Sequence, residues 1–418
     1  MTGLVLSGGV ARAAYQVGVL RAIARLRRER MGPRSRLFSP FGVIVGTSAG
    51  AINAAALACH ADRFEASVEV IARVWQDFSA EQVYRADSLG VIRSGAQWLT
   101  MLSLGWLIAR WRKARPKSLL DNSPLATLLQ RLVPLNRLPM MLEQKQLHAL
   151  AVTASSYSSG EHVTFFNAAG KVDPWPRSQR IAVPSPLGYE HLLASSAIPF
   201  VFPAAQITHG GQTAWYGDGS MRQTAPLSPA IHLGAQRLLI IGAGRMHEPA
   251  GRQAPIEGYP SLAQIAGHAM ANIFLDALAV DIERMQRINR TLALLPETAR
   301  QDTPLRPLES LVISPSQRLD DMAARHLGSL PAPVRTLLRG VGVSGKGQEA
   351  RGSALASYLL FEAPFTRELM ALGEADTMAR KDEVFQFFAW EPGGPAARRN
   401  AAAAQGGPDS SGLDLVLP

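Results

Sequence analysis

The stretch FGVIVGTSAGAINAAALAC, Phe41 to Cys59, joins an apolar run, a glycine-bracketed serine and an alanine-rich segment. Phe41 to Val45 has the β-branched, uninterrupted apolar character of a strand buried on both faces. Gly46-Thr47-Ser48-Ala49-Gly50 fits G-x-S-x-G, and from Ala51 to about Cys59 small residues favour a helix. A serine between a buried strand and a small-residue helix sits on a sharp turn. Its hydroxyl is lifted out of the backbone, and the following helix N-terminus places N–H groups and a partial positive charge beside it. Gly46 and Gly50 permit that turn and let the helix pack close to the strand.

The same strand–turn–helix unit occurs once before it. Leu4-Val5-Leu6 is a short strand, Ser7-Gly8-Gly9 a turn, and Val17, Leu20, Ile23, Ala24 and Leu26 follow at helical spacing. The glycines meet neither the G-x-G-x-x-G spacing of a dinucleotide loop nor the Gly-Lys-Ser/Thr of a phosphate loop. A row of N–H donors aimed at one point fits an oxyanion better. Further along, the pattern predicts helices over Val68–Phe78, Leu119–Val133, Tyr189–Ser196 and Ser261–Ile288. Ser123 is the expected N-cap of the second of these, with Pro124 at its first position. Strands are predicted at Leu147–Ser155, His162–Asn167, Arg237–Gly242 and Leu311–Ile313, with a hairpin over Ile207–Trp215 around Gly210-Gly211. Alternating strands and helices of this kind define an α/β fold with a mostly parallel central sheet.

Composition narrows the function. The chain has 418 residues, 47% hydrophobic and 18% charged, which is ordinary for a globular protein. Its one cysteine, Cys59, excludes an intrachain disulfide and a multi-cysteine zinc cage, and it reads as a small buried hydrophobe. No H-x-x-x-H or H-E-x-x-H spacing occurs, so no metal and no cofactor are expected. The formal charge of +10 comes largely from arginine, notably Arg21 to Arg36 and Arg110 to Lys117. Without a helix-turn-helix, zinc-finger or RNA-binding signature, the charge points to an arginine-rich surface or to anionic lipid rather than nucleic acid. The first twenty residues lack the basic n-region of a signal peptide, and the longest apolar run, Ala96 to Ala109, is too short to span a bilayer. A cytoplasmic protein with peripheral membrane contact and no transmembrane helix is expected.

A third glycine-bracketed polar residue stands at Tyr216-Gly217-Asp218-Gly219-Ser220. In isolation an aspartate between glycines is as much a turn former as a catalytic group. None of His191, His209, His232, His247 or His268 lies in a signature context for a Ser-His-Asp triad. Taken in order, these features resemble the patatin-like phospholipase family. SGGVARAAYQVGVL, from Ser7, is similar to its glycine-rich oxyanion loop, with Arg12 as the basic residue. GTSAG is similar to its nucleophile elbow, DGS at Asp218 to its Asp-Gly-Gly or Asp-Gly-Ala motif, and ASSAIPFVFPA from Ala194 to the segment that precedes that aspartate. The resemblance runs from Leu4 to about Gly242, and more faintly to Trp390. It departs from the family at Val10 and Ala13, where glycine is usual, at Ser220, which replaces a second glycine, and at Thr224, where asparagine is frequent.

The resemblance implies a three-layer α/β/α sandwich and a Ser–Asp dyad without histidine. Ser48 would be the nucleophile, Asp218 its base, and the amides of Gly8, Gly9 and Val10 the oxyanion donors. Arg12 would support that loop or add positive charge near it. The implied reaction is hydrolysis of a phospholipid or lysophospholipid ester through an acyl-enzyme. Neutral-lipid hydrolysis or acyl transfer on the same fold, and a non-catalytic lipid-binding protein, are the alternatives. The expected organisation is a catalytic domain over 1–303, a mostly helical extension over 304–390 and a disordered tail over 391–418. Within the first, the insertion 88–117 carries Trp98, Leu99, Leu102, Trp106 and Trp111 ahead of Arg112, Lys113 and Arg115. Over 98–117 it suits contact with an anionic membrane.

Overall fold

The computed structural model describes residues 1–31, 38–85, 118–245, 259–344 and 352–390. The insertion 88–117 and the tail 391–418 therefore lie outside the described residues. Among the described residues nine strands form one sheet: β1 Thr2–Leu6, β2 Val43–Thr47, β3 Ala149–Ser156, β4 His162–Ala168, β5 Arg180–Pro184, β6 Ala205–His209, β7 Gln212–Asp218, β8 Arg237–Ile241 and β9 Glu309–Ile313. Their order is β5-β4-β3-β2-β1-β8-β9, with β7 paired to β3 and β6 to β7. The β2–β1–β8–β9 pairs and the β2–β3 and β4–β5 pairs are parallel; β3–β4, β3–β7 and β6–β7 are antiparallel.

The middles of β1, β2 and β8 are apolar because both faces are covered. Leu4 and Leu6, Ile44, and Leu239 and Ile241 enter one core, while Val5, Val43 and Val45, and Leu238 and Ile240 enter the other. Alternation of side chains along a strand puts successive residues on opposite faces, so a sheet buried on both sides leaves no polar position. The first core takes the helices Ala14–Met31, Ala49–Ala58 and Phe64–Gln76. The second takes Leu278, Ile282 and Met285 from the helix Ala277–Leu294. This is the mixed α/β layering expected.

Element boundaries differ in instructive places. β2 runs to Thr47, because Gly46 and Thr47 pair with Val152 and Thr153 of β3 despite weak strand propensity. Asn122, not Ser123, is the N-cap of Ser123–Leu132; Ser123 N–H donates to Asp121 Oδ1 at 2.9 Å instead. In the β6–β7 hairpin Gly210 and Gly211 both have positive φ, 57° and 78°, the combination a type I′ turn requires. Cys59 is fully buried, and burial pushes its thiol up to about 12. Much of the Arg21–Arg36 charge is paired within the fold: Arg21 with Glu374 and Glu69, Arg28 with Glu65, and Arg25 with Glu29. Leu262–Leu294 is one helical run with a π turn at Asn272–Asp276, long and apolar enough by length and composition to cross a membrane. The sequence pattern predicts this helix over Ser261–Ile288, and the structure carries it on to Leu294.

Residues beyond 304 pack into the same core as residues 4 to 85. Leu319, Met322, Val334, Phe365, Leu369 and Phe388 join Leu20, Ile23, Phe41 and Phe64 in one cluster. The helices Ala14–Met31 and Ala363–Ala379 cross with their backbones almost touching. A Cβ on Gly18 would lie 2.0 Å from the Met370 carbonyl oxygen, and one on Gly373 would lie 2.3 Å from that of Tyr15. Gly18→Ala is therefore expected to destabilise the whole fold by about 1–3 kcal/mol or more, read as a lower denaturant midpoint; an unchanged midpoint would show that the crossing has slack.

Candidate active site

The turns after β1 and β2 are neighbours because the two strands are paired in parallel, so both project from the same edge of the sheet. Ligands of open α/β sheets gather at the carboxyl ends of the strands for this reason. β7 arrives antiparallel to β3, with Asp218 opposite Ala154 near the end of that strand. Three segments far apart in sequence thus converge.

Ser48 has φ 57° and ψ −132°, an unfavourable backbone for a residue with a Cβ. Strain of this kind persists only where surroundings fix it. Gly50 lets the helix start press onto β1: a Cβ there would lie 2.5 Å from the Leu6 carbonyl oxygen. The Ser48 N–H donates to Ser195 Oγ at 2.8 Å. Thr47 Oγ1 meets Thr153 Oγ1 at 2.8 Å and accepts from Gln223 Nε2 at 2.8 Å.

Asp218 is fully buried. Its N–H donates to the Ala197 carbonyl at 2.9 Å, and its Oδ1 accepts from Ser220 N–H at 2.8 Å. Burial pushes the carboxyl up to about 6, against the lowering influence of the Ser48 hydroxyl and of the Ser220 N–H and hydroxyl. The Ser48 hydroxyl thus lies near enough to bias the carboxylate, yet Oδ2 closes no hydrogen bond of standard geometry. Loose contacts of this sort are common in unliganded acid–base pairs.

Val10 has φ 53°, a backbone region that a β-branched side chain resists, and lines the same cleft as Ser48. Gly8 and Gly9 lead into it against close neighbours: a Cβ on Gly8 would lie 2.2 Å from Ser220 Oγ. Val10 and Ala49 each begin a helical turn, where N–H groups have no carbonyl one turn back. Neither amide donates to backbone among the described residues. Gln16 Nε2 holds the Ser7 carbonyl at 2.7 Å, and Asn53, itself held by Trp75 Nε1 at 3.0 Å, donates to Gln16 Oε1 and to the Ala13 carbonyl. Arg12 turns its guanidinium away, onto Ser357 and Asp320, and does not line the cleft. Of the two roles the resemblance allowed it, the contacts are those of loop support.

The cleft beside Ser48 has a cavity volume of about 40 Å³ and is apolar apart from Ser48 and Ser196. Ile52, Val74, Trp75, Phe78, Leu125, Leu128 and Phe202 are among its walls. Sequence reasoning missed Ser195, whose hydroxyl receives the Ser48 amide; its only signal was its place in ASSAIPF. It also missed His162, which hydrogen-bonds the Gly219 backbone behind the Asp218 turn. Burial, with Arg180 nearby, pushes that imidazole down to about 4, so it is neutral at physiological pH. His191, one of the triad candidates, accepts from Gly188 N–H at 3.0 Å.

A buried acid beside a strained serine, at the mouth of an apolar cleft on the edge of a parallel sheet, defines a serine hydrolase class. The patatin-like phospholipase family model matches residues 4–231, and the chain belongs to that family, which comprises lipid acyl hydrolases. A phospholipid substrate is what the family implies. Among solved structures, VipD from Legionella pneumophila is 14% identical, with 91% of this chain and 67% of that chain covered and a TM-score of 0.34. The type III effector protein ExoU is 15% identical, with 96% and 93% covered and a TM-score of 0.25. The complex of full-length SpcU with full-length ExoU from Pseudomonas aeruginosa gives 15%, 97%, 78% and 0.24. No curated protein matches the chain.

The raised Asp218 carboxyl carries a stability cost with a defined sign. The native carboxyl holds its proton up to about pH 6, whereas the unfolded chain loses it near the ordinary value of 3.8. Stability therefore falls as pH rises through that window, by on the order of 2–3 kcal/mol, and the cost persists above it. Asp218→Asn is expected to be more stable than the natural chain at pH 8 and about equal at pH 4; a less stable variant at pH 8 would contradict the cost.

Proposed function

We propose that the chain hydrolyses carboxylic esters of phospholipids or lysophospholipids by a Ser48–Asp218 dyad. The observation that carries this reading is the approach of the Ser48 hydroxyl to a fully buried carboxylate. Free serine is a weak nucleophile at neutral pH, and an adjacent base activates it. Asp218 ionised accepts the Ser48 proton as Oγ attacks the ester carbonyl. The C–O bond to the alcohol breaks, the proton passes to the departing oxygen, and the acyl group remains on Ser48. A water molecule then attacks that ester as Asp218 takes its proton, the bond from the acyl carbon to Ser48 Oγ breaks, and Asp218 passes the proton to Oγ as the fatty acid leaves.

The amide of Val10, with those of Gly8 and Gly9, supplies hydrogen bonds to the tetrahedral oxyanion, and the Ala49 amide at the helix start adds to them. Each such donor is worth on the order of 10²–10³ in rate. The Ser48 amide is not in this set, because Ser195 Oγ already occupies it. The apolar cleft receives the acyl chain, whose burial gives roughly 0.8 kcal/mol per methylene. Membrane contact through 98–117 and a cytoplasmic site remain part of the proposal as sequence readings.

Three outcomes test it. A fluorophosphonate probe is expected to label the natural chain and not Ser48→Ala; absence of label on the intact, folded protein favours a non-catalytic lipid binder instead. The apparent kcat/KM for a phospholipid is expected to fall tenfold per pH unit below about 6, as Asp218 takes up its proton, and to be flat there if another group is the base. Leu128→Trp, which fills the cleft, is expected to reduce hydrolysis of long-chain esters at least tenfold while short-chain esters are still cleaved. Equal loss on both would place the acyl chain elsewhere.

A further inference from the structure

Arg12 belongs to the turn on which the proposed oxyanion site depends, but its side chain enters a socket built by residues beyond 304. Nε donates to Ser357 Oγ at 2.9 Å, and Nη2 donates to the same oxygen at 2.5 Å. Nη2 also pairs with Asp320 Oδ1 at 2.5 Å and reaches the Ala354 carbonyl at 3.4 Å. The guanidinium carbon lies 3.9 Å from the centre of the Tyr358 ring, a cation–π distance. The Ser357 hydroxyl donates to the Ala354 carbonyl at 2.6 Å, which leaves its lone pairs to Arg12. Asp320, in the first turn of Leu319–His326, keeps about a quarter of its side chain exposed, while Arg12 is 4% exposed. All of these partners lie outside residues 4–231, the stretch matched by the family model.

We propose that Asp320, Ser357 and Tyr358 are positioning residues for the acyl-transfer step, gripping Arg12 and through it fixing the Gly8–Ala13 turn against Ser48. This rests on the hydrolase reading above and names the part of the chain that regulates the geometry of that same site. A β-branched residue with φ 53° is not a conformation the local backbone selects unaided. The turn that carries Val10 is held from two sides: Gln16 holds Ser7 before it and Asn53 holds Ala13 after it, while Arg12, two residues on, is held by the C-terminal helices. Releasing one anchor lets the turn relax and its N–H groups drift from the oxyanion. A displacement of about 1 Å in such a group costs on the order of 10²-fold in rate. Of the residues that line the apolar cleft only Val10 belongs to this turn, so substrate binding is largely retained.

The test uses the full chain and a soluble short-chain ester, with kcat and KM measured separately for Asp320→Asn, Ser357→Ala, Arg12→Met and the double variant Arg12→Met/Asp320→Asn. Expected are kcat losses of about 10- to 100-fold for the single variants with KM within twofold. The double variant is expected to be no slower than Arg12→Met alone, because Asp320 acts only through Arg12. Faster amide hydrogen exchange confined to residues 8–13 in Ser357→Ala is expected as well. Ser357→Ala deletes a single hydroxyl and serves as the measurement should Asp320→Asn not fold. Wild-type kcat in Ser357→Ala and Asp320→Asn, with Ser48→Ala inactive, overturns the clamp and leaves the dyad standing. So do losses that multiply in the double variant, or that appear in KM. A Ser48→Ala variant that still hydrolyses the ester overturns the hydrolase reading beneath it.

Discussion

A carboxylate with no exposed surface has lost its hydration and must find compensation from the protein. For Asp218 that compensation is incomplete: one oxygen has the Ser220 amide, while the hydroxyls of Ser48 and Ser220 lie near and the other oxygen closes no hydrogen bond. The shortfall sets the character of the site. It makes the group more basic than an ordinary aspartate, which suits proton acceptance from a serine, and it requires neighbours that hold the carboxylate still. Ala197 does so from one side and the β3–β7 pairing from the other.

Around that carboxylate the backbone does most of the work. The segment Ala194–Ala197 ties the two halves together, because Ser195 takes the amide of Ser48 and Ala197 takes the amide of Asp218. Glycine appears where one chain presses on another: Gly50 on β1, Gly8 on Ser220. Of the six non-glycine residues with positive φ among the described residues, two, Ser48 and Val10, face the same cleft. Conformational strain and chemistry thus coincide, as expected where a site is held in a shape the local chain would not choose.

What could be read in advance follows from how local each determinant is. GTSAG, SGG and DGS were legible because glycine spacing imposes turns regardless of distant contacts, and the doubly apolar strands announced a sheet covered on both faces. β2 ran further than its propensity suggested, since pairing with Val152 and Thr153 outweighed the preferences of Gly46 and Thr47. The bridging roles of Ser195 and His162 depended on partners distant in sequence, Ser48 147 positions before the first and the Gly219 backbone well after the second. The socket for Arg12 was invisible for the same reason: Asp320 and Ser357 lie 308 and 345 positions away. Val10 ran against expectation outright. Its side chain resists positive φ, and tertiary anchoring prevailed.

The crossing at Gly18 and Met370 also bears on the order in which this molecule can be completed. Arg21 waits for Glu374, 353 positions later, and Tyr15 for Asp376, 361 positions later. A ribosome adding about 5–20 residues per second needs roughly 20–70 s to deliver those partners. Throughout that interval the apolar side of Ala14–Met31 that meets Ala363–Ala379 lacks its cover. Nascent chains of this design are exposed to aggregation or to capture by chaperones until Ala363–Ala379 has been made, and enclosure of the Gly8–Ala13 turn waits for Asp320 and Ser357.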